Sequence, residues 1–478
     1  MSANLIGGEW MASASGRVRD RHNPADTRQL VATAPDSTAA DVDAAVSAVA
    51  DGHVEWARTS PQRRAEILDT AAALLERDPE KLAAELVSEE GKTLAEATME
   101  VRRTPANLRF YAGEALRATG STYPSESGLV YTARSAVGVV GAITPWNFPL
   151  NIPSRKLGPA LACGNGVIYK PSEVTPLLAT RLVEALLGAG VPAGALALVH
   201  GGAEVGAALA RDRRVAAVTF TGSTAAGNSI HGAVGPSRRC QLEMGGKNPV
   251  VVLPDADLDR AADIVVRGAF GLSGQACTGT SRVIAADAVH DELLARVVRR
   301  AEALRLGEGL AGGVDMGPLA TARQLAKTAE YVRIGLSEGA VLRTGGQPPG
   351  GERYAHGHFF LPTVFSEVDA GSQLAREEIF GPVLAFLRAG SFDEAVRLAN
   401  DSDYGLSAAV VTADLGAALD FADRMRTGLV KVNQPTTGMA MNAPFGGLKE
   451  SSTQTFKEQA GETMSRFYTV EKTVYVAS

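Results

Sequence analysis

Cysteine is scarce in this chain, with three in 478 residues. An odd, scattered set of thiols cannot build a disulfide framework, so the cysteines are expected to be reduced and the setting cytoplasmic. An excess of one charge is also missing. There are 47 basic and 53 acidic side chains, a net charge of −6, and no long run of like charge offers a general hold on nucleic acid or an anionic membrane. No apolar run approaches the roughly 18 residues that span a bilayer. The opening "MSANLIGGEW" has no basic segment leading into an apolar one, so no secretory leader is expected. Internal repeats and low-complexity tracts are absent too. What remains is 45% hydrophobic and 21% charged, ordinary for a globular protein. At this length one core does not suffice, and two or three domains are expected.

From about residue 38 to 118 the pattern is helical. Ile67, Ala71, Leu74 and Leu75 recur at helix spacing, Ser60-Pro61 opens one helix and Gly91 closes another. Short apolar runs follow at 137–143, 166–170, 195–200, 215–221 and 249–253, separated by helical stretches such as the one opened by Thr175-Pro176. Strands of about five residues alternating with longer helices predict βαβ units and a mostly parallel sheet. The alternation resumes after residue 280, so a second α/β domain is expected beyond a boundary near Gly245-Gly246. Segment 121–136 and the tail 467–476 read as stray strands, able to pair with each other or with another subunit.

Two short motifs suggest a nucleotide. In "TFTGSTAAG", Gly222 and Gly227 follow a strand and open a helix, where backbone can approach a pyrophosphate. The spacing is not G-x-G-x-x-G, and a plain strand–turn–helix junction explains it equally well. In "YKPSE", Lys170 and Glu173 follow a strand end, the place where open sheets bind ligands. The three cysteines divide by surroundings. Cys163 and Cys240 sit in apolar settings as small packed side chains. Cys277, in "SGQACTGTSR", stands among small and polar residues, and its own context leaves nucleophile and filler both open. His356 and His358 have H-x-H spacing but no third ligand nearby. Alternate positions on a strand edge are expected there, and no metal.

A series of motifs in one order settles more. "PWNFP" (145–149), "LEMGGKNP" (242–249), "GQACTG" around Cys277, "EEIFGPV" (377–383) and "PFGGLKES" (444–451) together resemble the aldehyde dehydrogenase superfamily over nearly the whole chain. The resemblance implies an α/β fold with a Rossmann-like dinucleotide-binding domain (1–120 and 138–243), a catalytic domain (244–440) and a small β bridging element (121–137 and 441–478). It implies NAD or NADP as cofactor, a small-molecule aldehyde as substrate, and a homodimer or homotetramer. Cys277 would be the nucleophile, Asn147 with the Cys277 N–H the oxyanion donor, and Glu243 the base that hydrolyses the thioester. Lys170, Ser172 and Glu173 would meet the adenine-side ribose, where either a free hydroxyl or a 2′-phosphate can be met. Gly222, Ser223 and Gly227 would meet the pyrophosphate. Glu378, Phe380, Trp146 and Gly245 would border the nicotinamide half, with Lys156 just behind.

Departures from the common pattern narrow the subgroup. Ser451-Ser452 stands where Ser-Gly is frequent, and with "FKEQ" (456–459) this resembles the members that oxidise 2-oxoglutarate semialdehyde (2,5-dioxopentanoate). Arg155, eight residues past Asn147, is placed to grip a distal carboxylate, against the alternative of a structural arginine paired with a local acid. Gly271 stands where succinate semialdehyde members often carry another arginine. Glu243 argues against coenzyme A capture of the thioester. The remaining alternatives are a broad-range aldehyde dehydrogenase and a catalytically silent dinucleotide-binding protein.

Overall fold

The computed structural model describes residues 2–126, 128–452, 456–458 and 461–477. Four helices open the fold after a β-rich start: α1 (Ala39–Arg58), α2 (Pro61–Leu75), α3 (Pro79–Glu90) and α4 (Leu94–Ala115). Their ends follow local chemistry. Ser60 accepts a hydrogen bond from the Arg63 N–H with Pro61 in the first turn. Gly91 ends α3 at φ 105°, a conformation that favours glycine. Thr93 and Glu96 close a capping box at the start of α4.

The first sheet orders its strands Arg239–Glu243, Val215–Thr221, Val139–Ile143, Gly166–Lys170, Leu196–Leu198, Asn4–Ile6 and Glu9–Met11. The five from the middle of the chain are parallel, and the two N-terminal ones are added antiparallel. Val139–Ile143 and Gly166–Lys170 are buried at every residue, as strands covered on both faces must be. The chain runs outward from 139–143 through 166–170 to 196–198. It then returns to lay 215–221 on the other side of 139–143. That reversal makes a crevice beyond the carboxyl ends of these two strands. Asn147 and Gly222 lie just past those two ends.

The second sheet orders Val341–Thr344, Thr363–Ser366, Val383–Ala389, Thr280–Ala286, Asn248–Val252, Ser407–Val411 and Leu429–Val432, antiparallel only at its first pair. Segment 122–136 and the tail form a third, antiparallel sheet in which Leu129–Ala136 lies between Thr122–Tyr123 and Thr469–Val476. The two stray strands therefore pair with each other within one chain. Sequence periodicity missed the hairpin Val18–Asn23 with Asp26–Pro35 and the edge strand Arg239–Glu243. It also misread the H-x-H pair. His356 and His358 lie in and just after a turn that follows Glu352–Tyr354, not on a strand.

Helix α5 (Asn151–Ala162) is buried at all twelve residues, Arg155 and Lys156 included. Buried cations are costly unless paired, so this helix has to find partners for both. Among the described residues, no helix is long and apolar enough to cross a membrane.

Candidate active site

The helix Leu258–Phe270 stops at Gly271, and the chain turns sharply before Cys277. Leu272 (φ 53°), Ser273 (φ 54°) and Gly274 (φ 72°) are all left-handed, which for the two non-glycine residues costs on the order of 1–2 kcal/mol each. The surroundings hold that strain in place. The Leu272 N–H donates to Glu96 Oε1 (2.6 Å), Ser273 Oγ donates to the Gly317 carbonyl (2.7 Å), and Gln275 Oε1 accepts from the Ala320 N–H (2.9 Å). A Cβ at Gly274 would collide with the Gly381 carbonyl. The result is a half-buried Cys277 whose own carbonyl is fixed by Asn248 Nδ2 (2.8 Å).

Asn147 meets this loop from the first sheet. Its amide donates one N–H to the Gln275 carbonyl, two residues before the cysteine, at 2.8 Å. A primary amide has a second N–H to give. Behind it, Lys92 Nζ donates to the Asn147 carbonyl (2.8 Å) and to Glu100 Oε2 (2.6 Å). Glu100 Oε1 accepts from the Leu150 and Asn151 N–H groups (2.9 and 3.0 Å). The stretch from Lys92 to Glu100 thus braces both Asn147 and, through Glu96, the Cys277 loop. Of these braces only Thr93-x-x-Glu96 left a sequence signal, as a capping-box pattern. Lys92 and Glu100 act through distant partners that no local pattern reveals.

Glu243 ends the strand Arg239–Glu243 and is buried. The Ser452 hydroxyl donates to the Leu242 carbonyl (2.8 Å) and stands 3.3 Å from Glu243 Oε1. Burial, then the nearby Glu458 carboxylate, pushes the Glu243 carboxyl well above its ordinary range, while Lys156 and Lys457 oppose the rise. Lys156 Nζ donates to Thr219 Oγ1 (2.9 Å) and forms a close ion pair with Glu458. Its charge acts on the Glu243 carboxyl. Glu458 falls in the "FKEQ" segment, but its pairing was not legible there.

Acidity does not separate the cysteines. Burial pushes Cys163, Cys240 and Cys277 each up to about 12. For Cys277 the carboxylates of Glu378 and Glu243 add to the rise, while Arg155 counters it. Location distinguishes it. Cys163 caps α5 in the core and Cys240 lies within a strand, whereas Cys277 follows the turn that Asn147 holds and feels the Glu378 and Glu243 carboxylates.

The remaining sequence-derived positions flank that crevice. Ser223 caps the helix Thr224–Val234, whose N-terminus opens at the strand reversal. A Cβ at Gly222 would meet the Phe220 ring, and one at Gly227 would collide with Met244. The Thr221 hydroxyl is buried without a partner among the described residues. A helix N-terminus, a small-residue turn and a waiting hydroxyl fit a pyrophosphate. Lys170 is buried at the end of its strand with Nζ 3.8 Å from the exposed Glu173 carboxylate, and Ser172 Oγ accepts from the Val174 N–H (3.2 Å). Across the crevice, Glu378 Oε1 accepts the Gly246 N–H (3.0 Å), and a Cβ at Gly245 would collide with the same carboxyl. Phe380 holds a left-handed backbone (φ 60°) and meets the Trp146 ring edge to face at 5.6 Å. The cleft there is lined by Gly246, Gly274, Ala276, Glu378 and Phe380.

Arg155 points away from the cofactor positions. Its Nη1 touches Met439 Sδ at 2.6 Å, its guanidinium lies over the Phe445 ring (5.4 Å), and the Glu458 carboxylate is 3.9 Å away. That carboxylate is already engaged by Lys156.

Residues 10–474 match the sequence model of the aldehyde dehydrogenase family. The chain is 42% identical over 477 residues to alpha-ketoglutaric semialdehyde dehydrogenase of Bacillus subtilis (strain 168), covering 99% of this chain and 97% of that one. It is 43% identical over 473 residues to 2,5-dioxopentanoate dehydrogenase of Saccharolobus solfataricus, covering 98% of each. The crystal structure of an NAD-dependent aldehyde dehydrogenase from Sinorhizobium meliloti superposes with a TM-score of 0.95 at 34% identity, over 100% of this chain and 94% of that one.

Proposed function

The chain belongs to the aldehyde dehydrogenase family and oxidises aldehydes with NAD(P)+, and from that premise we propose that Cys277, Asn147 and Glu243 carry the reaction on a carboxylate-bearing semialdehyde such as 2-oxoglutarate semialdehyde. Support for the roles comes chiefly from the convergence of the three residues. Asn147 is hydrogen-bonded to the turn that carries Cys277, and the Glu243 charge acts on the same thiol.

In this reading the Cys277 sulfur adds to the aldehyde carbon, and the thiol proton passes to an ionised Glu243 carboxylate. The second Asn147 N–H and the Cys277 N–H receive the oxyanion. Such preorganised donors are worth about 3–4 kcal/mol each in related chemistry. Bound NAD(P)+ supplies the acceptor for the hydride that leaves the thiohemiacetal carbon. Cys277 is then held as a thioester. Once Glu243 has released the thiol proton to solvent, its carboxylate takes a proton from the water that attacks the thioester, and the carboxylic acid leaves with the Cys277 thiolate restored. Lys156 and Glu458, paired beside Glu243, give that proton a polar surrounding. Lys170, Ser172, Glu173, Gly222, Ser223 and Gly227 would hold the adenosine and pyrophosphate half of the cofactor. Trp146, Gly245, Glu378 and Phe380 would bound the nicotinamide half.

The names of the related enzymes and the position of Arg155 support the substrate. Arg155 is near enough to act on Cys277 electrostatically, and the Glu458 carboxylate that faces it also pairs with Lys156. The exposed Tyr123, Leu129 and Tyr475 on the three-stranded sheet support a homo-oligomer built through that element, and the scarce thiols support a cytoplasmic setting. Steady-state kinetics with NAD+ and NADP+ over 2-oxoglutarate semialdehyde, succinate semialdehyde, pentanal and benzaldehyde test the substrate. The expected result is the highest kcat/KM for the first, at least tenfold above pentanal. A preference for the uncharged aldehydes would overturn it.

A further inference from the structure

Two neighbouring parallel strands, Gly166–Lys170 and Leu196–Leu198, end side by side, and the Val199 N–H still donates to the Tyr169 carbonyl (3.0 Å). Lys170 closes the first strand. The second runs on through His200, Gly201 and Gly202 into the helix Ala203–Arg211. The N-terminal hairpin is fastened to this spot by Asn4, which is fully buried. Asn4 Nδ2 donates to Ser37 Oγ (2.8 Å), just past the hairpin, and Asn4 Oδ1 accepts the His200 N–H (2.9 Å). The approach is close enough that a Cβ on Gly201 would stand 3.3 Å from the Ser37 nitrogen.

This fastening brings an arginine to the strand ends. Arg19 lies on the hairpin opposite Ala34, and its Nε donates to Asp36 Oδ1 at 2.7 Å. Among the described residues that is the one hydrogen bond its guanidinium makes, so both Nη groups have N–H to give. The side chain is half exposed, and Nη2 lies 3.7 Å from where a Cβ on Gly202 would be. Burial, and after it the Arg19 charge, lowers the proton affinity of Lys170, with Glu173 opposing. The Glu173 charge also adds to the rise at Arg19 that Asp36 leads. Arg19, Lys170 and Glu173 therefore stand in one another's field.

Lys170 and Glu173 alone leave the 2′ position of the adenine-side ribose undecided. A carboxylate accepts from a free hydroxyl and repels a phosphate, which carries about 1.5 to 2 negative charges. The groups differ in how firmly they are held. Glu173 is exposed, and Lys170, its ion-pair partner, is 3.8 Å away, beyond hydrogen-bond distance, so the carboxylate can turn aside at little cost. Arg19 is fixed through Asp36, whose own N–H donates to the Arg17 carbonyl (2.9 Å). Two cations that stay and a carboxylate that yields are complementary to a phosphate.

We propose that Arg19 reads the 2′ position of the cofactor, joining Lys170 around a 2′-phosphate, so that NADP+ is held at least as tightly as NAD+. This rests on the adenine-half assignment of Lys170 and Glu173 made above and deepens it. The test reads binding without turnover. Isothermal titration gives dissociation constants of NAD+, NADP+, 5′-AMP and 2′,5′-ADP for the wild type, Arg19→Leu, Arg19→Lys and Lys170→Met. Arg19→Leu is expected to lower the preference for NADP+ over NAD+, and for 2′,5′-ADP over 5′-AMP, by tenfold or more. Arg19→Lys is expected to lower both by less, since it keeps the charge and loses the planar fork. It also keeps the comparison available if the leucine variant does not fold. A wild type that holds NAD+ more tightly than NADP+ would overturn the proposal, as would ratios that neither Arg19 variant moves. Equal weakening of all four ligands by Arg19→Leu would make Arg19 a strut of the hairpin and overturn it too. If Lys170→Met weakens binding while the Arg19 variants leave the ratios alone, the adenine-half assignment stands and the arginine's role falls. If Lys170→Met changes nothing, the assignment itself falls.

Discussion

Two regions beside helices α4 and α5 treat charge differently. At the Asn147 end, Lys92 is held by Glu100 at 2.6 Å, and the strained Leu272 turn is tied to Glu96 at 2.6 Å. At the far end, Arg103 and Arg155 share a carbonyl and a thioether, and the facing carboxylate is 3.9 Å away. A site that stabilises developing charge in a transition state gains from groups already fixed in place. The contrast teaches that a cation with its own close carboxylate holds the turn before Cys277 in place, whereas Arg155 and Lys156 divide one carboxylate, Glu458, between them.

The largest break in that comparison is Cys277→Ser. Aldehyde oxidation should fall by roughly a thousandfold or more, while NAD+ binding, followed by fluorescence titration, should persist. Turnover near wild type would remove the nucleophile. Next is Lys92→Met, which leaves Glu100 buried and unpaired. Removing one partner of such a pair costs about 3–5 kcal/mol of stability, and kcat should fall by roughly tenfold to a hundredfold as Asn147 loosens. Lys92→Met with Glu100→Leu should recover Tm but not kcat. If kcat recovers with Tm, the brace serves stability alone. The smallest effect is one of pH. Glu243 acts as base only when ionised, and its affinity for protons is raised. Deacylation-limited kcat should therefore climb with pH through a midpoint above the ordinary glutamate range. A midpoint near 4.5 would contradict the burial of that carboxyl.

Much of this was legible in sequence because local rules and tertiary structure agree. The helices after residue 38 and the alternation of short strands and helices follow from period, caps and turns, whereas the choice of the two stray strands for each other over another subunit was open in sequence. Motif order singled out Cys277, Asn147 and Glu243, and the fold brings Asn147 to the turn before Cys277. What periodicity missed depends on distant partners. The edge strand Arg239–Glu243 has a ladder partner in Val215–Thr221 and meets the distant C-terminal segment through a single bridge between Glu243 and Ser452. Glu458 gains its place only when the C-terminal segment folds back against Lys156, 302 residues away. Arg103 drew no reading from sequence, since nothing local signals that α4 brings it to the Met439 carbonyl. The histidines at 356 and 358 show the reverse error, in which spacing suggested a strand edge that the turn after Glu352–Tyr354 replaces.

The most direct measurement is rapid mixing of the Glu243→Gln variant with 2-oxoglutarate semialdehyde and NAD+, followed by mass analysis of the peptide that contains Cys277. If Cys277 is the nucleophile and Glu243 the deacylating base, NADH should appear in a burst close to one per active site. Turnover should then be slow, with an acyl adduct accumulating on Cys277. Steady turnover without a burst, and an unmodified Cys277 peptide, would contradict the account.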